Sequence, residues 1–206
     1  MFAPTHDPHP EYQRPPGPDF LYASKPPWDI DRPQPAFTAL AEAGEIRGRV
    51  LDIGCGTGEH AMLAAQLGLE AVGVDQSAQA IEYAERKARD RGLTVRFLRH
   101  DALSLAEHGE IFDTVLDSGL LHIFTPEVRA AYVQTLAALL RPGGRYFMLG
   151  FSDRQPGAWG PHRLARNDIE AAFTDGWRVD SIEEAVLEIL PDPDGVQAWL
   201  ATITRM

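Results

Sequence analysis

The chain has 206 residues, 44% of them hydrophobic, and a formal net charge of −11 at neutral pH. That length supplies one domain, with or without an extension, and the apolar share fills an α/β core. The acidic balance speaks against a nucleic-acid partner, which needs a basic face. No apolar run reaches the roughly 18 residues of a membrane span, and a single cysteine leaves no internal disulfide framework and fits a reducing cytoplasm.

The first 35 residues hold most of the 16 prolines and few periodic apolar positions. Residues 1–19 are expected to form a flexible tail. Met1–Pro8 has neither the basic region nor the apolar core of a signal peptide. His6 and His9 lack a metal-ligand spacing, and no metal is expected. Residues 20–206 are expected to be the domain proper, with 20–44 forming an N-terminal lid and first helix. Phe20, Leu21, Tyr22, Trp28 and Ile30 are too apolar to stay solvated together and should pack on the domain.

From Ala36 onward helices and strands alternate. Ala36 to Ala43 reads as a helix stopped by Gly44, and Arg49 to Ile53 as the first strand. The run Val50-Leu51-Asp52-Ile53-Gly54-Cys55-Gly56-Thr57-Gly58 is strand, tight glycine loop and helix start, with Glu59 to Gln66 as the helix. Ala71 to Val74 is a second strand, and Ser77 caps a helix reaching Arg91 before Gly92. Strands follow at Thr94–Arg99 and Phe112–Leu116. Pro126 opens a helix through Leu140, Pro142-Gly143-Gly144 turns, and Arg145–Phe151 is the fifth strand. Asn167 or Asp168 caps a helix to Phe173. Trp177–Leu190 and Ala198–Thr204 close the chain as two strands joined by Pro191–Gly195. The order predicts a Rossmann-like α/β fold: a seven-stranded, mostly parallel sheet, helices on both faces, and a C-terminal antiparallel hairpin.

Ligands bind such sheets beyond the carboxyl ends of the strands. That rim carries Asp52 to Gly58, then Asp75 and Gln76, then His100, Asp101 and Ala102, then Asp117, Ser118 and Gly119 followed by Leu120 to Phe124. The glycines do not complete a dinucleotide fingerprint, because Glu59 and His60 follow Gly58 where a further glycine belongs. This disfavours a nicotinamide oxidoreductase. Four carboxylates on one rim suit a ligand carrying a cation, an ammonium, a ribose diol and an adenine amine.

With its glycine loop and Asp75 at the end of the second strand, the chain resembles the class I S-adenosylmethionine-dependent methyltransferases. The resemblance covers roughly residues 26 to 151. It implies S-adenosyl-L-methionine as cofactor. Gly54, Gly56 and Gly58, with Cys55 as a small residue between them, would wrap the methionine part, and Asp52 would lie near its ammonium. Asp75 matches the ribose-binding acid, with Gln76 beside it, Asp101 and Ala102 the adenine positions, and Asp117 and Ser118 the site beside the reactive methyl. Pro27-Trp28-Asp29-Ile30-Asp31-Arg32-Pro33-Gln34-Pro35 is similar to the segment that folds over the cofactor in the thiopurine and thiol/halide branch, where Trp28 would pack near it. Asp31 stands where that branch has glycine, so the local turn is expected to differ. Trp159-Gly160-Pro161 is similar to the branch's loop beside the substrate.

The reaction is then expected to be methyl transfer to a small molecule, preferably a thiol, a thiopurine-like heterocycle or another soft nucleophile. An O- or N-methyltransferase of a small aromatic metabolite, or an inactive cofactor-binding protein, is the alternative. Asp117-Ser118-Gly119-Leu120 is not the Asp/Asn-Pro-Pro-Tyr/Phe of adenine or amide N-methylation. His122 is the candidate base and Asp117 its catalytic neighbour. Tyr22, Leu120, His122, Phe124 and Trp159 are candidate acceptor contacts. A monomer or homodimer is expected.

Overall fold

The computed structural model describes residues 17–157 and 159–206. The expected tail, with His6 and His9, lies outside the described residues up to position 16. A short 3-10 helix at Pro18–Tyr22 straddles the expected boundary at residue 20. Asp19 belongs to the packed structure: its carboxylate accepts from the Ser77 hydroxyl at 2.7 Å and the Gln79 N–H at 3.3 Å.

Among the described residues five α-helices and seven strands follow. These are α1 (Pro35–Glu42), β1 (Val50–Ile53), α2 (Glu59–Gln66), β2 (Ala71–Asp75), α3 (Ala78–Asp90), β3 (Arg96–Arg99), β4 (Phe112–Ser118), α4 (Pro126–Leu139), β5 (Leu140–Phe151), α5 (Arg166–Ala172), β6 (Trp177–Ile189) and β7 (Asp192–Arg205). The strands form one sheet in the order β3-β2-β1-β4-β5-β7-β6. All pairs through β5 are parallel, and β7 runs antiparallel to both β5 and β6. The chain order reverses between β1 and β4, which opens the rim where ligands sit on such sheets.

Strand alternation sorts the core into two layers. Leu51, Ile53, Val115, Tyr146 and Met148 pack with Tyr132, Leu136 and Leu139 of α4 and Ile169 of α5. Val50, Ala71, Leu116, Phe147 and Leu149 pack with Phe37 of α1 and Leu63 and Ala64 of α2. Ala84 and Ala88 of α3 join Met62 and Phe97 beside the second layer. Ser77 caps α3, its hydroxyl accepting from the Ala80 N–H at 3.1 Å.

Several boundaries differ from the sequence expectation by a residue or two, and three differ in kind. β5 begins at Leu140 rather than Arg145, with Pro142–Gly144 absorbed as an irregularity in the pairing with β4. β7 begins at Asp192, so the final hairpin turns on Leu190 and Pro191 alone, Ile189 pairing with Asp192. Asp168 lies inside α5 and serves the helix from within: its carboxylate accepts from the Ala165 N–H at 2.8 Å. Among the described residues no helix is long and apolar enough to cross a membrane.

Candidate active site

The glycine loop leaves β1 and enters α2 through Gly58, whose φ of 84° is a left-handed conformation. A Cβ there would also lie 2.7 Å from the Phe97 ring, so both backbone and space demand glycine. Gly56 is held from two sides. Its N–H donates to Asp75 Oδ2 at 2.9 Å, and a Cβ on it would sit 3.0 Å from the Tyr22 hydroxyl. The other Asp75 oxygen accepts from the Ser77 N–H at 2.8 Å. Asp75 therefore orders the loop from the end of β2 while still bordering the rim. Burial raises its pKa, against the pull of those N–H groups.

Asp52 and Asp117 end neighbouring strands and are both buried, yet their oxygens are used differently. The Asp117 carboxylate accepts from Leu120 N–H at 2.7 Å, Leu121 N–H at 3.1 Å, Tyr132 OH at 2.9 Å and Tyr146 OH at 2.6 Å. Burial pushes its pKa up to about 6 despite those donors. This acid is committed to the turn after β4. Asp52 accepts one bond, from Ala61 N–H to Oδ2 at 3.0 Å. Its Oδ1 is buried with no hydrogen-bond partner among the described residues. Burial, reinforced by the charges of Asp75, Asp117 and Glu59, pushes its pKa up to about 8. A buried lone oxygen of this kind is costly unless something fills it.

Cys55 is buried in the loop, and burial holds its thiol well above the ordinary range. It is a small packing residue. Leu120 lies over Gly54, its side chain 3.1 Å from where a Cβ would be. After β3, Ala102 is buried, while Asp101 is exposed and accepts from the Leu103 N–H at 2.9 Å. Gln76 is exposed, and its carbonyl accepts from Arg99 Nε at 3.1 Å. Ser118 ends β4, paired with Leu149 of β5.

The N-terminal segment lies across this end of the sheet. Trp28 is 42% exposed and meets Tyr22 edge-on at 6.5 Å. Asp31 adopts φ 57°, the only positive φ at a non-glycine among the described residues. The conformation a glycine would supply is thus retained, and aspartate tolerates it better than most residues. Lys25 and Lys87 pair with its carboxylate. Asp29, Asp31 and Glu59 form an acidic cluster already held by cations. Lys87 Nζ contacts Asp29 at 3.2 Å, Asp31 at 3.1 Å and Glu59 at 2.9 Å, and Arg91 contacts Glu59 at 2.7 Å.

His122 follows β4 in a short 3-10 turn at Leu121–Ile123. Its Nδ1 accepts from the Phe151 N–H at 3.0 Å, and its ring meets Phe151 edge-on at 5.1 Å. Burial, with the Arg163 and His162 charges, pulls its pKa down to about 3. An Nδ1 that accepts must leave the proton on Nε2. The ring is a neutral donor toward its free edge, which does not suit it to be a base. Phe151 also meets Trp159 edge-on at 5.6 Å. Arg163, a residue the sequence did not single out, lies over both rings, 5.2 Å from Phe151 and 5.7 Å from Trp159. Its Nη2 donates to Trp159 O at 2.9 Å, while Nε and Nη1 are buried without a partner among the described residues. Phe124 turns into the core, 5.1 Å from Tyr132. An open groove lined by Arg145, Arg178 and Arg205 lies at the other end of β5, away from this rim.

Fold, glycine loop and strand-end acids define a nucleoside-cofactor site on a Rossmann-like sheet. Residues 50–144 match the family described as methyltransferase domain. The chain is 35% identical over 178 residues to a 2-heptyl-1-hydroxyquinolin-4(1H)-one methyltransferase of Mycobacteroides abscessus, covering 85% of this chain and 78% of that one. It is 30% identical to the probable thiol methyltransferase 2 of Arabidopsis thaliana, over 80% of this chain and 74% of that one. A solved structure described as the conversion of a disulfide bond into a thioacetal group during echinomycin biosynthesis superposes with a TM-score of 0.80. It shares 38% identity, covering 88% of this chain and 86% of that one. The chain belongs to the class I S-adenosylmethionine-dependent methyltransferases. Its cofactor is S-adenosyl-L-methionine.

Proposed function

We propose that this enzyme methylates an anionic sulfur on a small, largely apolar aromatic molecule, a thiolate or thiopurine-like heterocycle. The observation that carries the reading is the wall formed by His122, Phe151, Trp159 and Arg163. It presents rings, a neutral N–H donor and a guanidinium. Such a wall suits an acceptor that arrives already ionised. A thiol with a pKa near 8.5 is partly thiolate at neutral pH.

When bound, the cofactor supplies a cationic sulfonium methyl, which leaves as the nucleophile's lone pair forms a bond to carbon and the C–S pair returns to sulfur. In this reading Asp52 takes the ammonium on its bare oxygen and Asp75 takes the ribose hydroxyls. Gly54, Gly56 and Gly58 allow the close approach. Asp117 acts at one remove, holding the Leu120–Leu121 turn through its backbone N–H groups. The acceptor's charge and the sulfonium charge cancel as the reaction proceeds, so water exclusion by Trp28, Tyr22, Leu120 and Trp159 favours it. Alignment supplies the rest. An aromatic oxygen acceptor is the second reading, favoured by the relative named for a hydroxyquinolone.

The test is an acceptor panel with mass-spectrometric detection: aromatic thiols, hydroxyquinolones, phenols and arylamines of matched size. Methylated product from the acceptors ionised at the assay pH is expected. Product from amines alone would overturn the reading.

A further inference from the structure

We propose that His60 is a positioning residue that couples docking of the N-terminal segment to the carboxylate of Asp52, and thereby to capture of the cofactor's ammonium. The inference rests on the assignment of Asp52 to that ammonium.

The chain of contacts is buried throughout. The backbone N–H of Gln34 donates to His60 Nε2 at 3.2 Å. A nitrogen that accepts an N–H carries no proton, so in the neutral ring the proton is on Nδ1. Nδ1 in turn faces Asp52 Oδ1 at 4.0 Å. That oxygen is the one without a hydrogen-bond partner among the described residues, while Oδ2 is satisfied by Ala61. At 4.0 Å the contact is not a hydrogen bond, but an N–H this close to the carboxylate favours its anionic form.

The ring has little freedom to do otherwise. Phe37 packs on it at 4.6 Å. Gln34 is clamped too: its side-chain amide donates to Glu188 O at 3.0 Å and accepts from Glu188 N–H at 2.8 Å. Pro33 and Pro35 stiffen the backbone on either side. When the segment is docked, the Gln34 N–H fixes the tautomer. When it is undocked, the proton is free to move to Nε2, and a lone pair then faces Asp52. Docking thus favours the charged acid that an ammonium needs.

Two ligands separate this role from mere packing. Adenosylhomocysteine carries the ammonium, and methylthioadenosine shares the nucleoside and thioether without it. His60→Gln keeps an acceptor at the Nε2 position for Gln34 and takes the donor off the Nδ1 position that faces Asp52. By calorimetry it should weaken adenosylhomocysteine about threefold, less than a direct hydrogen bond contributes, and leave methylthioadenosine nearly unchanged. Equal weakening of both ligands, or of neither, would overturn the proposal. Gln34→Pro removes the N–H at a residue whose φ of −60° already fits proline. Gln34→Ala keeps the N–H while losing the same clamp. The extra loss in the proline variant should fall on adenosylhomocysteine alone. Nitrogen-15 chemical shifts give an independent readout on the unmodified protein, where His60 should be the Nδ1–H tautomer, and an Nε2–H tautomer would sink the idea. Asp52→Asn tests the parent assignment. If it leaves the ratio of the two affinities unchanged, the ammonium site itself is misplaced. If it collapses the ratio and His60→Gln does not, the coupling through His60 alone fails.

Discussion

The Phe151 N–H donates to Nδ1 of His122 at 3.0 Å, so the histidine's only other ring nitrogen carries a proton. With its pKa pulled down to about 3 by burial, the ring stays neutral across the working range. We predict that the pH profile of kcat/KM follows the acceptor's ionisation alone, in wild type and in His122→Gln alike. His122→Ala should slow turnover and cost about 1–3 kcal/mol of stability, because the Phe151 N–H is left unsatisfied. A limb near pH 6–7 that vanishes in the variant would restore a base role.

Asp52 gives a second prediction, with opposite signs for stability and binding. Folding raises its pKa from 3.8 to about 8, so the folded state favours the protonated form. Stability from this group is full below the unfolded value and is lost as pH rises through the folded value. Asp52→Asn, which stays neutral, should therefore raise the Tm of the ligand-free protein, increasingly between pH 4 and 8. The same change should weaken adenosylmethionine binding. In wild type, ammonium binding needs the anion, so affinity should rise as pH climbs toward about 8 and fall again once the ligand's own ammonium, an α-amino group with a pKa near 8, loses its proton. Thermal shift and calorimetry across pH check both. A destabilised Asn variant would contradict the first half, and a flat affinity profile the second.

Lys87 carries a third. It joins Asp29 and Asp31 of the N-terminal segment to Glu59 at the start of α2 and also contacts Thr57 Oγ1 at 2.9 Å. Lys87→Met leaves buried Glu59 with Arg91 and strips Asp29 of its cation. A half-buried pair broken from one side should cost about 1–3 kcal/mol, below the 3–5 of a fully buried one. The loss should show as a lower Tm and a raised KM for the cofactor. Unchanged values for both would mean the cluster is a solvated surface network.

The fold was legible because its signals are local: glycine and proline punctuation, the Ser77 cap, and apolar runs of the right length. The boundaries that slipped lie where turn residues sit inside a sheet. Pro142–Gly144 and Pro193–Gly195 read as loops, but β4 and β6 pair across them and tertiary pairing wins. The site was legible as a rim, since every strand end could be counted. The roles along it were not. Asp52 and Asp117 look alike in sequence, and only the fold brings Tyr132 and Tyr146 to one and leaves the other bare. His60 and Arg163 carried no local signal at all. One matters because Gln34 arrives from 26 residues away in sequence, the other because Phe151 and Trp159 meet beneath it.

Arg163 therefore supplies the sharpest test of acceptor chemistry. Its guanidinium lies over Phe151 and Trp159 and adds positive charge next to His122. If it draws an anionic acceptor, Arg163→Met keeps much of the stem's packing on the rings while removing the charge. KM for an ionised aromatic thiol should then rise about tenfold, equivalent to about 1.4 kcal/mol. KM for a neutral acceptor of the same shape should hardly move, and cofactor affinity should be unchanged. Arg163→Lys should recover only part of the loss, since an ammonium stacks on rings less well than a planar guanidinium. Steady-state kinetics with the matched pair of acceptors decides the matter. Equal losses for charged and neutral acceptors would make Arg163 a strut for the Trp159 loop. A gain for the anion would put the acceptor's charge elsewhere in the site.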